Sequence, residues 1–397
     1  MSHNGNLPQD IITDILSRLP VKSLFRFMCV SPLWKSLISD PRFAKTHLNR
    51  TRTKNPNYPA LKIVNVSDCG DLKSVDYNDV NLTPTKLEFP TVVEQVQQVA
   101  EKWVQVLNSC DGLLLVSRTD ASLNYKVART DKSIFLLNPS TRECMKLPVC
   151  PFFQNSILVD SNPYGVFYDS SADDYKVLMP NYCPNNGSFI ALSMPGYITI
   201  LSVYSLKTNV WTRIEVPQGQ FSGQNKHRLN GYPVGTSGGV LLNGCLHYFW
   251  WNITGRYMTI MAFDLSGDEI FREMPLPVSA SFNRSNRLVV LGGALCLVHA
   301  LGREVWMMKE YGATESWTKF TMYSALCIQD VVCMLAEDEF LSFETNGKRQ
   351  LVVYNPLKFT ERVICGNPTS LRFGGTYVES LVSPFHEEEI ERQIYDG

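Results

Sequence analysis

The segment from Gly235 to Gly239, Gly-Thr-Ser-Gly-Gly, has the spacing of a serine nucleophile motif. In hydrolases with that motif a strand leads into the serine and a helix follows it, and histidine and acidic partners complete the catalytic group. Here the segment VLLNGCLHYFWW follows, which has the pattern of a strand, a turn and a second strand. The pattern therefore predicts a glycine-rich entry to a strand, and it does not predict a nucleophile.

Histidines and cysteines are the other residue types here that could support chemistry. No two histidines are four residues apart, and none lies near cysteines at zinc-ligand spacing. Their positions are His3, His47, His227, His247, His299 and His386. The eleven cysteines are odd in number and include no Cys-x-x-Cys pair. We therefore expect buried free thiols in a reducing compartment, with no metal site and no cofactor.

Composition and charge exclude further classes of function. The net charge of -1 and the lack of Lys/Arg runs argue against nucleic acid as a partner. No apolar run approaches the ~20 residues that span a bilayer. The polar start, MSHNGNLPQD, does not have the pattern of a secretory signal. We expect a cytoplasmic and/or nuclear globular protein with no membrane partner.

Residues 7 to about 48 have a helical pattern, within a first domain that we predict over residues 1–48. In LPQDIITDILSRLP, residues 7–20, the apolar residues that share one helix face are Ile11, Ile12, Ile15, Leu16 and Leu19. Pro8 suits the first turn of this helix and Pro20 ends it. The next segments, VKSLFRFMCV, SPLWKSLI and DPRFAKTHL, predict two or three more short helices. A module this small rarely buries enough surface to be stable alone, so its surplus apolar surface should meet a partner.

After a polar linker predicted at residues 49–60, the hydrophobic period changes from 3.6 to 2. Five strand-turn-strand units, such as IFLLNPSTRECMKLP and LSVYSLKTNVWTRIEVP, recur at intervals of roughly 40 to 65 residues. A glycine-led pair of strands precedes each unit. This repeat predicts an all-β propeller over residues 61–385, and an acidic tail over residues 386–397.

The blade count follows from the repeat. Six blades are favoured and seven remain possible, because residues 61–106 and the last strand, GTYVESLV, could complete one blade from both chain ends. Two long loops, PNYCPNNGSFIALSMPGY and SGQNKHRLNGYPVG, could form a binding rim. The aromatic residues in or near them that we predict to contact a target are Tyr182, Tyr197, Tyr232, Trp250 and Tyr257.

The helical segment closely resembles the F-box of plant proteins. The matching positions are Leu7-Pro8, Ile15-Leu16, Arg18-Leu19-Pro20, Lys22-Ser23-Leu24, Arg26-Phe27, Cys29-Val30, Trp34, Leu37-Ile38 and Asp40-Pro41-x-Phe43. Met28 and Pro32 depart from the usual pattern, where basic residues are common. The later pieces NPSTREC, YDSSADDYKVL and TYVESLV are similar to the F-box-associated, kelch-like region of the same proteins. The resemblance covers nearly the whole chain.

This resemblance implies a non-catalytic substrate receptor of an SCF-type (Skp-cullin-F-box) ubiquitin ligase. The F-box would bind a Skp-type adaptor that sits on a cullin, and the propeller would capture a target protein for ubiquitination and proteasomal degradation. The residues that we expect at the adaptor contact are Leu7, Pro8, Ile11, Ile15, Leu16, Leu19, Pro20, Leu24, Val30 and Trp34. Internal packing is the alternative role for several of them.

Two other functions stay open at this point. A kelch-type propeller enzyme or sugar-binding protein would need metal ligands clustered at one end of the ring, and the sequence shows no such cluster. An F-box protein could also bind its target without causing its degradation. The sequence does not indicate which protein is the target.

Overall fold

A computed structural model describes most of the chain. The residues that it describes are 8–54, 61–67, 71–76, 84–87, 102–120, 132–152, 164–184, 197–214, 231–234, 238–252, 256–264, 271–278, 286–299, 304–321, 327–336, 339–345, 349–355, 358, 360–366 and 371–385. The predicted acidic tail, the serine of the Gly-Thr-Ser-Gly-Gly segment, and residues 185–196 and 222–230 of the two predicted binding loops lie outside these residues.

Four helices form the N-terminal module: α1 (Gln9–Leu16), α2 (Val21–Met28), α3 (Pro32–Ser39) and α4 (Pro41–Lys54). Proline precedes or opens each helix, because its fixed φ suits a first turn that needs no N–H donor. The Ser31 hydroxyl also caps α3 by accepting a hydrogen bond of 3.2 Å from the Trp34 amide. The predicted linker is wrong at its start, since α4 continues past residue 48 to Lys54 and no proline follows before Pro56.

The remaining described residues are almost entirely strands, with one 3-10 turn at Thr314–Ser316. In chain order the strands are β1 (Leu61–Ser67), β2 (Leu72–Asp76), β3 (Thr85–Lys86), β4 (Lys102–Cys110), β5 (Leu113–Asp120), β6 (Lys132–Asn138), β7 (Glu143–Lys146), β8 (Gly165–Asp169), β9 (Asp174–Pro184), β10 (Tyr197–Ser205), β11 (Val210–Ile214), β12 (Gly231–Pro233), β13 (Val240–Leu242), β14 (Cys245–Asn252), β15 (Tyr257–Phe263), β16 (Phe271–Met274), β17 (Asn286–Leu291), β18 (Ala294–His299), β19 (Glu304–Met308), β20 (Trp317–Thr321), β21 (Cys327–Ala336), β22 (Glu339–Thr345), β23 (Arg349–Asn355), β24 (Thr360–Gly366) and β25 (Leu371–Val378).

These strands form six antiparallel sheets, the blades of a propeller. Blade 1 has the order β25-β1-β2-β3, blade 2 is β4–β7, blade 3 is β8–β11, blade 4 is β12–β16, blade 5 is β17–β20 and blade 6 is β21–β24. In blade 4 the innermost strand is split, because β12 and β13 both pair with β14. The innermost strands contact each other in the order β25, β4, β8, β13, β17, β21 and back to β25. The predicted propeller is therefore confirmed, with six blades.

The first and last strands of the propeller meet in blade 1. Strand β25 pairs antiparallel with β1 from Leu61 opposite Val378 to Ser67 opposite Leu371. This pairing gives the exposed edges of the first and last strands a partner and closes the ring, as the sequence predicted. Strand β4, which lay within the predicted first blade, belongs to blade 2 instead.

The predicted repeat corresponds to the outer two strands of blades 2 to 6, and the glycine-led pairs correspond to the inner two. In two copies of this repeat, a tryptophan joins its own blade to the preceding blade by the same kind of hydrogen bond. The indole of Trp211 in blade 3 donates to the Pro148 carbonyl at 2.9 Å, and that of Trp317 in blade 5 donates to the Pro275 carbonyl at 3.0 Å. Each acceptor lies just after the last strand of the preceding blade. These bonds hold successive blades together at their outer rims.

The innermost strands of blades 1 to 4 are joined directly. The Asn108 side chain exchanges two hydrogen bonds with the Val166 backbone at 3.0 and 2.9 Å, and the Ser109 hydroxyl donates to the Thr376 carbonyl at 2.7 Å. The Gly239 amide donates to the Tyr164 carbonyl at 3.0 Å. A Cβ at Gly238 would lie 2.7 Å from the Leu107 carbonyl oxygen, and closer still to that of Tyr164. Gly238 and Gly239 therefore permit close packing of backbones, as expected for a glycine-rich entry to a strand.

This close approach makes Gly238 critical for stability. We expect Gly238→Val to lower the free energy of unfolding by about 3 kcal/mol or more, because two backbone oxygens cannot move away from the added side chain. Gly244→Ala is the matched control, since nothing lies within 4 Å of an added Cβ and only the left-handed φ of 75° costs energy, about 1 kcal/mol. Denaturant unfolding of both variants measures the difference; equal losses would contradict the packing role.

Candidate functional site

The helical module has a small core of its own. Leu16, Leu24, Ile38 and Phe43 are almost fully buried, and Leu19, Trp34 and other partly buried residues pack against them. The rings of Phe27 and Trp34 meet edge to face at 5.4 Å, a favourable aromatic geometry. The predicted adaptor contacts Leu16 and Leu24 are 2% and 0% exposed. Those two predictions are therefore wrong in this structure, because both side chains are used inside the module.

A second group of aliphatic residues is left on the surface of the module. Ile11, Ile15, Val30 and Leu33 are 44%, 47%, 62% and 55% exposed, and Pro8 and Pro20 are also exposed. Ile11 and Ile15 lie one turn apart on α1, and Val30 and Leu33 flank the corner between α2 and α3. Several large exposed aliphatic residues on so small a module are typical of a protein-binding surface. We call Pro8, Ile11, Ile15, Val30 and Leu33 the aliphatic surface.

Four of the ten predicted adaptor residues, Pro8, Ile11, Ile15 and Val30, thus belong to one exposed set. Pro20 is exposed at the start of α2, whereas Leu19 and Trp34 are half-buried against the module core. Leu7 lies outside the described residues. Leu33 was not predicted; its position beside Trp34, on the side of α3 away from the buried Ile38, was the available signal.

Helix α4 ties the module together from one side. The residues on that side are spaced by four and three positions: Phe43 lies in the core, His47 Nε2 donates to the Leu19 carbonyl at 2.8 Å, and Arg50 reaches α1. Arg50 donates to the Asp14 carbonyl at 2.9 Å, the Ser17 hydroxyl at 2.6 Å and the Asp14 carboxylate at 2.5 Å. The hydrogen bond from Arg50 is the largest cause of a lowered pKa at Asp14.

The other side of α4 contacts the propeller. Leu48 is buried in the core formed by blades 2 and 3. Lys45 pairs with Asp173 in the β8–β9 turn, and Arg52 pairs with Asp111 in the β4–β5 turn. Each aspartate also accepts a hydrogen bond from a tyrosine, Tyr168 or Tyr175, and the two rings lie 4.9 Å apart. Lys45, Leu48 and Arg52 follow the spacing of one helix face, so a single helix belongs to both domains.

The segment after β25 forms a second contact between the domains. Leu381 packs against the core of the helical module, whereas the next residue, Val382, lies in the propeller core. Asn138 holds this segment by donating to the Val382 carbonyl at 2.6 Å and the Ser380 carbonyl at 3.2 Å. Two separate stretches of chain therefore fix the module against the face of the propeller that carries the first turns of blades 2 and 3. We call the face of the propeller that carries these two turns the proximal face.

The opposite, distal face is where the predicted target residues lie. Strand β9 begins at Asp174 beside α4 and runs for 11 residues to Pro184, roughly 30 Å away. At that end Tyr182 pairs with Thr199, near Tyr197 in the same pair of strands. The Thr199 hydroxyl donates to the Gly231 carbonyl at 2.8 Å, which joins blade 3 to blade 4 next to Tyr232.

The distal end of blade 4 continues the same region. Tyr232 pairs with Trp251, and Tyr257 pairs with Asn252. The backbones of all five predicted aromatic residues therefore lie at the distal ends of two adjacent blades. Tyr232 and Tyr257 are half-buried, and the side chains of Tyr182 and Tyr197 lie outside the description. Trp250 is fully buried between blades 3 and 4, so the prediction that it contacts a target is wrong.

Three residues of chemically reactive types, His247, Cys296 and Cys333, are buried inside the propeller and contribute to its packing. His247 is fully buried, its Nδ1 lies 3.1 Å from the Val240 carbonyl oxygen, and its Nε2 lies 2.7 Å from the Tyr311 hydroxyl. Burial lowers its pKa to about 4, so it is neutral at physiological pH. Burial likewise raises the pKa of Cys296 and Cys333 to about 12, which leaves unreactive thiols.

No group of three or more His, Cys, Asp or Glu side chains among the described residues could hold a metal ion. The helices that the structure describes are too short or too polar to cross a membrane. The described geometry therefore offers two candidate surfaces, one on the helical module and one on the distal face.

Comparison with known families assigns both parts of the chain. Residues 63–383 match the F-box associated beta propeller domain, and residues 5–46 match the F-box domain. The chain belongs to the F-box protein family. The F-box protein CPR1 of Arabidopsis thaliana is 32% identical over 345 residues, which cover 79% of this chain and 72% of the relative. The Arabidopsis F-box/kelch-repeat protein At3g23880 is 27% identical over 396 residues, or 96% of both chains.

The family assignment identifies the domain that carries each of the two surfaces. The helical module is the F-box, and its aliphatic surface has no partner within the described chain. The propeller is the F-box-associated domain, and α4 joins the two although it extends beyond the matched F-box residues 5–46.

The division between buried and exposed aliphatic residues in α1 has a measurable consequence for this F-box protein. We expect Leu16→Ala to lower the free energy of unfolding by about 3 kcal/mol, because it leaves a cavity in the module core. Ile15→Ala is the matched control and should change stability by no more than about 0.5 kcal/mol. Hydrogen exchange of the α1 and α2 amides follows the opening of the module directly. Similar protection in both variants would contradict the division.

Proposed function

We propose that the protein is the substrate-recognition subunit of an SCF-type ubiquitin ligase. The observation that supports this most is the aliphatic surface: four residues between 44% and 62% exposed on a module whose own core is already filled. Burying such side chains against a partner contributes about 1 kcal/mol or more for each. The partner that the family implies for an F-box is a Skp-type adaptor, which connects it to a cullin-RING ligase.

Short helices with a filled core suit this contact. The exposed stripe of Pro8, Ile11 and Ile15 on α1 can lie in an apolar groove, as amphipathic helices do in many complexes. Val30 and Leu33 extend the contact to the corner of α2 and α3. Pro20 adds a rigid, exposed point between the two. The buried Leu16 and Leu24 then act indirectly, because they hold these helices in place.

The propeller would supply the target-binding surface. The distal ends of blades 3 and 4 carry Tyr182, Tyr197, Tyr232 and Tyr257, and tyrosine is enriched at protein interfaces because it combines a large apolar ring with a polar end. This region lies away from the F-box, so adaptor and target could bind at the same time. The target would be a protein, and its identity is not indicated by these residues.

In this proposal the protein does no covalent chemistry. It would raise the effective concentration of target lysines near a conjugating enzyme held by the same complex. Ubiquitination and proteasomal degradation of the target would follow in the cytoplasm and/or the nucleus. An enzyme or sugar-binding propeller is the weaker candidate, because the described residues hold no metal-binding group.

The adaptor contact can be tested with the purified full chain. We expect an Ile11→Asp, Ile15→Asp double variant to lose at least about 100-fold in affinity for a plant Skp-type adaptor, because charged groups would enter an apolar contact. Val149→Asp with Val278→Asp is the matched control, since both valines are strongly exposed on the propeller. Calorimetry measures the affinities. Unchanged binding by the double variant would rule out this docking surface, and a wild-type chain that does not bind the adaptor would overturn the proposed function.

The target surface can be tested in plant cells by proximity labelling with the proteasome blocked. We expect a Tyr232→Arg, Tyr257→Arg variant to label the adaptor as wild type does but to lose a subset of other proteins. Val210→Arg with Val363→Arg is the control, because these exposed valines lie on the outer strands β11 and β24. Proteins retained with the control and lost with the tyrosine variant are targets. The same set of labelled proteins in all three samples would contradict the distal-face assignment.

A further inference from the structure

The charge of the F-box is the opposite of that of the rest of the chain. Residues 1–54 contain nine Lys and Arg but three Asp and Glu, whereas residues 55–397 contain 28 basic and 35 acidic residues. The net charge of -1 for the whole chain conceals this division. A basic module on an acidic protein suggests that the module meets an acidic surface.

Ion pairs within the protein account for part of this charge. Arg18 and Arg50 both pair with Asp14, and Lys45 and Arg52 pair with the propeller residues Asp173 and Asp111. Asp40 is used as well, because its carboxylate accepts a hydrogen bond of 2.7 Å from the Arg42 amide at the start of α4. The basic residues that form no ion pair with any described residue, and whose side chains are described, are Lys22, Arg26, Lys35 and Arg42. All four are exposed.

The position of this unpaired charge is not random. Lys22 and Arg26 lie one turn apart on the exposed side of α2, and the same side continues through Cys29 to Val30. Leu33 and Lys35 follow on α3, and both are exposed. The basic side chains of Lys22 and Arg26 therefore lie on the side of α2 that leads to the exposed Val30. We call Lys22 and Arg26 the basic edge.

This inference rests on the proposed function and adds the chemistry of the partner. We infer that the adaptor presents an acidic surface beside its apolar groove, and that the basic edge pairs with it while Val30 and Leu33 enter the groove. A nucleic acid fits less well, because Val30 and Leu33 gain nothing from a phosphate backbone and no Lys/Arg run is present. Charges at the margin of an apolar contact act mainly on the rate of association and on its salt dependence.

The test compares salt dependence between variants of the full chain. For wild type we expect the association rate with a plant Skp-type adaptor to fall about tenfold between 50 and 300 mM NaCl, because salt screens charges that are separated by more than a Debye length. A Lys22→Glu, Arg26→Glu variant should associate about tenfold more slowly at 50 mM and show little or reversed salt dependence. Surface plasmon resonance measures the rates.

Lys309→Glu with Lys358→Glu is the matched control. Both lysines are exposed on turns of blades 5 and 6, and the substitution changes the net charge by the same amount. This control should keep the wild-type rate and salt dependence. The same loss in the control would show a general effect of net charge and would overturn the role of the basic edge.

The outcomes separate this inference from the proposed function. If the Ile11→Asp, Ile15→Asp variant loses the adaptor but the Lys22→Glu, Arg26→Glu variant keeps wild-type rates at all salt concentrations, the acidic partner surface is wrong and adaptor binding stands. If wild type binds anionic phospholipid vesicles or single-stranded RNA through Lys22 and Arg26 and does not bind the adaptor, the acidic partner surface and the proposed function are both wrong. Rescue of the charge-reversed variant by adaptor acid-to-lysine substitutions would identify the paired residues.

Discussion

Helix α4 is the element on which the arrangement of the whole molecule depends. One of its faces, through Phe43, His47 and Arg50, completes the F-box; the other, through Lys45, Leu48 and Arg52, is part of the propeller. A helix cannot bend sharply without a proline, a glycine or an inserted group, and residues 42–54 contain no proline or glycine. The two domains therefore share one rigid element.

Of the two ion pairs that α4 forms with the propeller, the pair of Arg52 with Asp111 has a buried acidic partner, whereas Asp173 is exposed. Asp111 and Asp173 occupy the same place in neighbouring blades, the turn between the two inner strands, and both have a left-handed backbone with φ of 55° and 51°. Burial raises the pKa of Asp111 above its ordinary value, although Arg52 and the Tyr175 hydroxyl both favour the charged form. Arg52 thus compensates a carboxylate that folding has already removed from water, which is more than a pair on the surface would do.

Much of this structure could be predicted from the sequence because its patterns are local. The 3.6-residue period identified the helices, and the repeated strand-turn-strand unit identified the blades and the closing strand. The sequence could not show which residues on the apolar side of α1 are buried and which are exposed. Ile15 and Leu16 are adjacent on that side, and only the packing of α2 and α3 decides which of them is buried. The prediction that Trp250 contacts a target failed for a similar reason. Alternation along β14 places Trp250 on one side of the strand, but neighbouring blades cover both sides, so neither side is exposed. The pairing of Lys45 with Asp173 joins positions 128 residues apart, which no local pattern reports.

The exposed aliphatic residues and the rigid joint are best understood together. A small F-box could have buried Ile11 and Ile15 against the propeller, since α4 already brings the two domains into contact. Instead the contact uses Lys45, Leu48, Arg52 and Leu381, which leaves the aliphatic surface outside it. Exposing these side chains to water gives up the stability that their burial would contribute. That loss is compensated only if a second protein covers them, and the rigid joint then gives that protein and the distal face one fixed relative position.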